Sequence, residues 1–181
     1  MGVFDFFTKR KEPLLACISP ELPEADALAV LPGFVREFLH AVQNYSIQFY
    51  RDIHSHDSSG FPAVKEEFCY LLLSVAESRL RAGRDHASAE RLLGHTRILL
   101  TEALSGADRS FQAEAFWTVY HERAASYGAQ HASSLVREKL LAVFNAQLLA
   151  RLHDWPKLIT YHGAEVAAEA LAALEGEAGG K

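Results

Sequence analysis

The sequence predicts an all-α fold, a single-domain antiparallel bundle of about six to seven helices. Apolar residues recur at helical spacing through most of the chain, and no stretch alternates with period two for long enough to demand a strand. Cap, glycine and proline signals fall where the periodic segments begin and end. From Pro62 onward the predicted starts recur about every 22 to 25 residues, which suits antiparallel hairpins and also a helical-hairpin repeat. No repeat signature recurs in register, so a single bundle is the simpler expectation.

Three regions follow: an N-terminal leader over 1–23, a helical domain over 24–175 and a disordered tail over 176–181. In the leader, Val3, Phe4, Phe6 and Phe7 precede Lys9, Arg10 and Lys11. That order reverses a secretory signal, and the phenylalanines are expected to fold back onto the domain rather than seat on a membrane. Pro23 suits the first position of a helix from Glu24 towards Leu31, and Pro32-Gly33 is expected to break or kink it. A second helix then runs from Phe34 to about Ile53, with Phe34, Phe38, Val42, Tyr45 and Phe49 on one face. His54 to Gly60 is polar and turn-rich and reads as a loop.

The organising segment is Phe61 to Ala82. Val64, Phe68, Leu71, Leu72 and Val75 share a stripe that Cys69, Leu73, Ala76 and Leu80 widen to roughly half of the helix. Such a helix needs cover on more than one side. Glu66, Glu67, Tyr70, Ser74, Glu77 and Ser78 make up a polar strip expected to meet water or a partner. Gly83-Arg84 should end this helix and Asp85 should cap the next, which extends to about Leu104 with Leu92, Leu93, Ile98, Leu99, Leu100 and Leu104 as its apolar side. Ser110 suits the N-cap of an aromatic helix from Phe111 to Tyr127, with Gly128 after its end. Ser133 or Ser134 caps a helix to about His153, and Trp155-Pro156 opens a last one, bent at Gly163, to about Leu174.

Composition narrows the function classes. The 181 residues are 49% hydrophobic, enough for a continuous core, and 18 basic against 23 acidic side chains give a formal charge of −5. An acidic balance argues against general nucleic-acid binding and suits a basic partner. The longest apolar run, Phe68 to Ala76, falls short of the roughly 20 residues that span a bilayer, so no transmembrane segment is expected. Cys17 and Cys69 stand in no C-x-x-C context and read as reduced thiols of a cytoplasmic protein.

The chemical motifs are weak. Nine histidines invite a metal, yet there is one Glu-x-x-His, Glu37 to His40, where a di-iron bundle shows two, and no His-x-x-x-His. His54, His56 and Asp57 are better read as a solvated loop than as ligands, and no metal or cofactor is implied. No Gly-x-Ser-x-Gly elbow, reactive-cysteine context or phosphate-binding glycine loop occurs. Cys69 lies in an apolar run, where burial raises a thiol pKa and makes it inert.

Two surface candidates remain. Arg79, Arg81, Arg84, His86, Arg91 and Arg97 gather around the turn at Gly83, where Arg forks suit an acidic partner or a phosphate. The plainer explanation is that they answer the helix dipole and pair with Glu77 and Glu90. Phe116, Trp117, Tyr120 and His121 could line a small-molecule pocket, although an aromatic stripe more often packs a core.

The function expected is therefore a non-enzymatic protein-protein interaction module of the immunity or chaperone type, which neutralises or escorts a partner. Its contact residues are taken as Arg79, Arg81, Arg84, His86 and Arg91 with His54, His56 and Asp57 of the loop. The alternatives are a helical sensor or carrier with an apolar ligand near Trp117, and a His-ligated metal-dependent bundle enzyme.

Overall fold

Among the described residues the helical spacing becomes six α-helices, α1 (Glu24–Asp52), α2 (Phe61–Arg81), α3 (His86–Ala107), α4 (Ala113–His131), α5 (Val136–Arg151) and α6 (Pro156–Glu175), preceded by a 3-10 helix, Leu14–Ile18. This computed structural model describes residues 14–52, 60–131, 136–152 and 156–175, and no strand occurs among them. The leader phenylalanines, the loop with His54, His56 and Asp57, the Ser133 and Ser134 caps, His153 and the tail 176–181 lie outside the described residues.

The segment expected to organise the chain is the axis of the fold. Pro62 stands in the first turn of α2, where a missing N–H costs nothing. α2 touches every other α-helix and the 3-10 helix. The surrounding helices also touch one another, α3 with α1, α1 with α6, α6 with α5 and α5 with α4. Trp117 Nε1 of α4 donates to Thr101 Oγ1 of α3 at 2.9 Å and closes the ring. Cross-helix contacts give the directions. Glu67 meets Tyr127 while Tyr70 meets Phe116, and Arg81 meets Glu90 while Glu77 meets Arg97, so α4 and α3 both run opposite to α2.

The apolar stripe of α2 is buried throughout. Phe68 lies 6.2 Å from Phe49 of α1 and 4.8 Å from Phe144 of α5, ring centre to ring centre. Each such buried aromatic contributes about 1.5 to 3 kcal/mol by leaving water. Leu14, Leu15 and Ile18, which the sequence places in the leader, are buried too, and their 3-10 helix packs on α1, α2 and α6.

The polar strip of α2 does not meet water along its middle. Glu67, Tyr70, Ser74 and Glu77 are buried, because α3, α4 and α5 bring cations and hydroxyls against them. Period alone reports polarity and not whether a distant residue will satisfy it.

The proline break is also absent. α1 runs unbroken for 29 residues with Pro32 inside it. Pro32 is exposed, whereas Ala27, Leu31, Phe34, Val35 and Phe38 on either side of it are buried. The continuous buried face outweighs the one backbone hydrogen bond that proline removes.

Helix ends shift by a few residues. Asp85 caps α3 as expected, its carboxylate accepting from Ser88 N at 2.9 Å. Ser110 does not cap α4: Asp108 takes its N–H and its hydroxyl at 2.8 and 2.7 Å, and the helix starts at Ala113. α3 continues through Gly106, and α4 through Gly128. Gly163 lies within one continuous α6, at a close approach to α5: a Cβ there would stand 2.6 Å from Asn145 Oδ1. No described helix is long and apolar enough to cross a membrane.

α2 ends as its glycine dictates. Ala82 N–H returns to Ser78 O, and Gly83 takes φ +67°, a left-handed conformation that costs other residues about 1 to 2 kcal/mol. A Cβ at Gly83 would also press on Pro20 Cβ at 3.2 Å. Gly83→Ala is therefore expected to lower stability by about 1 to 2 kcal/mol in urea unfolding, with unchanged helix content by circular dichroism.

Candidate functional site

The most chemically dense place in the molecule is inside it. Glu67 of α2 is fully buried, and Tyr127 Oη of α4 donates to its Oε1 at 2.7 Å. Arg123 Nε of α4 reaches Oε2 at 3.4 Å, and Arg151 NH1 of α5 lies 3.7 Å from the same oxygen. Arg151 is itself anchored by Glu66 Oε2 at 2.6 Å and by Ala63 O at 3.2 Å. Arg123 and Tyr127 lie one turn apart on α4, so both point at one carboxylate.

Burial pushes the Glu67 carboxyl above its usual range, against the opposing pull of Tyr127, Arg123 and Arg151. Burial first and the Glu67 charge second push the Tyr127 phenol far up. Enclosed in this way, Glu67 offers no surface to a substrate.

A second cluster repeats the arrangement farther along α2. Arg97 of α3 donates to Glu77 Oε1 from NH2 at 3.1 Å and from Nε at 3.3 Å. Its guanidinium stands 5.7 Å from the Trp117 ring centre, a cation-π distance. Tyr120 is fully buried, and burial first and Glu77 second raise its phenol far above the usual range.

The arginines read as a surface cluster are largely engaged within the chain. Arg81 pairs with Glu90 at 2.6 Å, and Arg91 forks onto both oxygens of Glu24 at 2.6 Å, joining α3 to α1. Arg97 pairs with Glu77, so the expected partners of the turn, Glu77 and Glu90, are both in place. Arg84 donates to two carbonyls, Ser19 O at 2.6 Å and Leu80 O at 3.2 Å. Burial and then Arg79 lower its pKa. Arg79 and His86 are exposed. Arg79 borders an open cleft of about 410 Å³ between α2, the 3-10 helix and the end of α6.

The aromatic stripe of α4 is packed by protein. Phe116 and Tyr120 are buried against Tyr70 at 5.1 and 6.1 Å, and Trp117 stands edge-on to both. His121 is exposed. Both cysteines are free thiols: burial pushes Cys69 up to about 12, and Cys17 Sγ contacts Leu14 O at 2.8 Å. Among the described residues no group of three His, Cys, Asp or Glu side chains is placed to hold a metal ion.

One surface was missed by sequence reasoning. α1 and α3 run side by side and leave a groove of about 520 Å³ between Pro32, Val35 and Leu39 on one wall and Leu99 and Ala103 on the other. Arg36 and His40 edge the first wall and Glu102 the second. Ile98, expected in the core, is 57% exposed beside Glu102, one turn away on α3. The signal was present: Ile98, Leu99 and Leu100 are consecutive, and three consecutive residues span about 200° of a helix, too much for one buried face.

Comparison with protein-family models, with curated proteins and with solved structures finds no match to this chain.

Two measurements check these pairings. Tyr127→Phe leaves Glu67 Oε1 without its hydroxyl donor, and a loss of about 1 to 3 kcal/mol is expected at neutral pH. The Arg91 hydrogen bond, then that of Ser88, hold the Glu24 carboxyl down to about 2 from an ordinary 4.5. A depressed carboxylate pKa stabilises the fold above the unfolded value and loses that contribution as pH falls through the folded one. Glu24→Gln is thus expected to flatten the decline of urea midpoint between those two pH values, with the wild type retaining the steeper slope.

Proposed function

We propose that this chain is a non-enzymatic protein-binding module of the kind that neutralises or escorts a partner, and that its contact surface is the α1–α3 groove. The observation that carries this reading is an apolar floor left open to solvent between charged edges, with Ile98 57% exposed one turn from the Glu102 edge. A partner side chain that covers such a floor gains about 25 cal/mol for each Å² removed from water. Arg36, His40 and Glu102 at the edges then fix orientation, which is the usual division between an apolar centre and a polar rim.

The acids and bases that a reaction would need support the same reading, because Glu67, Glu77 and Tyr127 are enclosed among their own partners and Tyr120 is fully buried. The cationic turn contributes field more than contact, since Arg81 and Arg91 are bound to Glu90 and Glu24. Two free thiols fit a reducing compartment such as the cytoplasm.

Ile98→Asp changes an exposed position, so folding should be preserved in the circular dichroism spectrum. Tagged wild-type protein is expected to retain a specific partner from the native cell, and Ile98→Asp to lose it by tenfold or more, about 1.4 kcal/mol or above. Equal recovery with both proteins would remove the groove from the interface, and catalytic turnover in the absence of any partner would remove the binding reading altogether.

A further inference from the structure

Resting on the groove's role as a protein-contact surface, we infer that its occupant in the isolated protein is a second copy of the same chain, docked about a two-fold axis parallel to the groove. Charge is distributed unequally across the two walls. The α1 wall carries Arg36 and His40, and the α3 wall carries Glu102. The Arg36 side chain is 70% exposed and lies 3.6 Å from Glu37, a loose contact. Glu102 is exposed and pairs with none of the described residues. Each groove therefore offers one cationic and one acidic edge at the same height along its length.

Symmetry decides how two such grooves can meet. A two-fold axis along the groove places α1 of each copy over α3 of the other, so each Arg36 and His40 edge meets a Glu102 edge, twice in one interface. An axis across the groove would instead set α1 on α1 and oppose Arg36 to Arg36, which is repulsive. The first arrangement also covers Ile98, which lies one turn before Glu102 on the same face of α3. Self-association of this kind hides the open floor until a heterologous partner displaces the second copy, which links the dimer to the proposed function.

Sedimentation velocity on the purified full chain, from about 5 to about 200 µM and at low and high salt, tests the proposal. The wild type is expected to dimerise with a dissociation constant in the micromolar range and more weakly in high salt. Glu102→Arg and Arg36→Glu, each acting twice through the symmetry, are each expected to weaken the dimer at least about tenfold. The double charge swap should restore it to within about threefold of the wild type. A wild type that stays monomeric throughout, a dimer indifferent to either reversal, or a double swap that fails to recover would each overturn the proposal. The groove itself is judged separately: a monomeric wild type whose partner capture is still abolished by Ile98→Asp would sink the dimer and leave the proposed function standing.

Discussion

A central helix packed against all of its neighbours has to satisfy whatever polar groups it buries, and α2 buries two carboxylates. Leaving a buried carboxylate unpaired costs several kcal/mol, so Glu67 and Glu77 make demands on the helices around them. The two lie ten residues apart, about 15 Å along the axis and about 80° around it. They consequently address different neighbours. Glu67 collects Tyr127 and Arg123 from α4 and Arg151 from α5, while Glu77 collects Arg97 from α3. Apolar stripes tolerate sliding and rotation by a residue or two; a carboxylate that must meet a guanidinium within about 3 to 4 Å does not. In this fold the hydrophobic faces supply the driving force, and the two buried acids fix how α3, α4 and α5 are seated on the axis.

What could be read from the sequence follows from how local each signal is. The stripe from Val64 to Leu80 declared a central helix because its period is complete within a few turns. Asp85 and Gly83 announced the turn between α2 and α3 because cap chemistry is settled over a few residues. Pro32 misled because its local penalty was legible, whereas the buried face that carries α1 past it includes residues on both sides of the presumed break. The polar strip of α2 misled for the complementary reason. Residues 97, 123 and 151 that satisfy it lie 20 to 85 positions away, and no pattern in α2 names them.

The candidate site shows the same division. A cluster of arginines around Gly83 was visible in the sequence, and so were Glu77 and Glu90 as partners. The long-range fork of Arg91 onto Glu24 was not, since it needs α1 and α3 to be neighbours. Arginine suits these links because its planar fork can satisfy two acceptors at once, as Arg84 does with two carbonyls and Arg91 with two carboxylate oxygens. A run of positive charge in a sequence can thus be internal wiring rather than a binding patch.

The rotation of α3 connects that wiring to the surface. Taking Arg97 as the reference, Thr101 lies about 40° around the helix, Leu100 about 300°, Ala103 about 240°, and Ile98 and Glu102 about 100° and 140°. Arg97 and Thr101 are held towards α2 and α4 by Glu77 and Trp117, which buries Leu100 and turns Leu99 and Ala103 towards α1. Ile98 and Glu102 are then the residues left to face outward. At the other end, Arg91 ties α3 to Glu24 and keeps it alongside α1. The buried acid at position 77 therefore does more than satisfy a core arginine. By fixing the roll of α3 it determines which of three consecutive apolar residues is exposed, and so gives the α1–α3 groove its charged edge and its uncovered isoleucine.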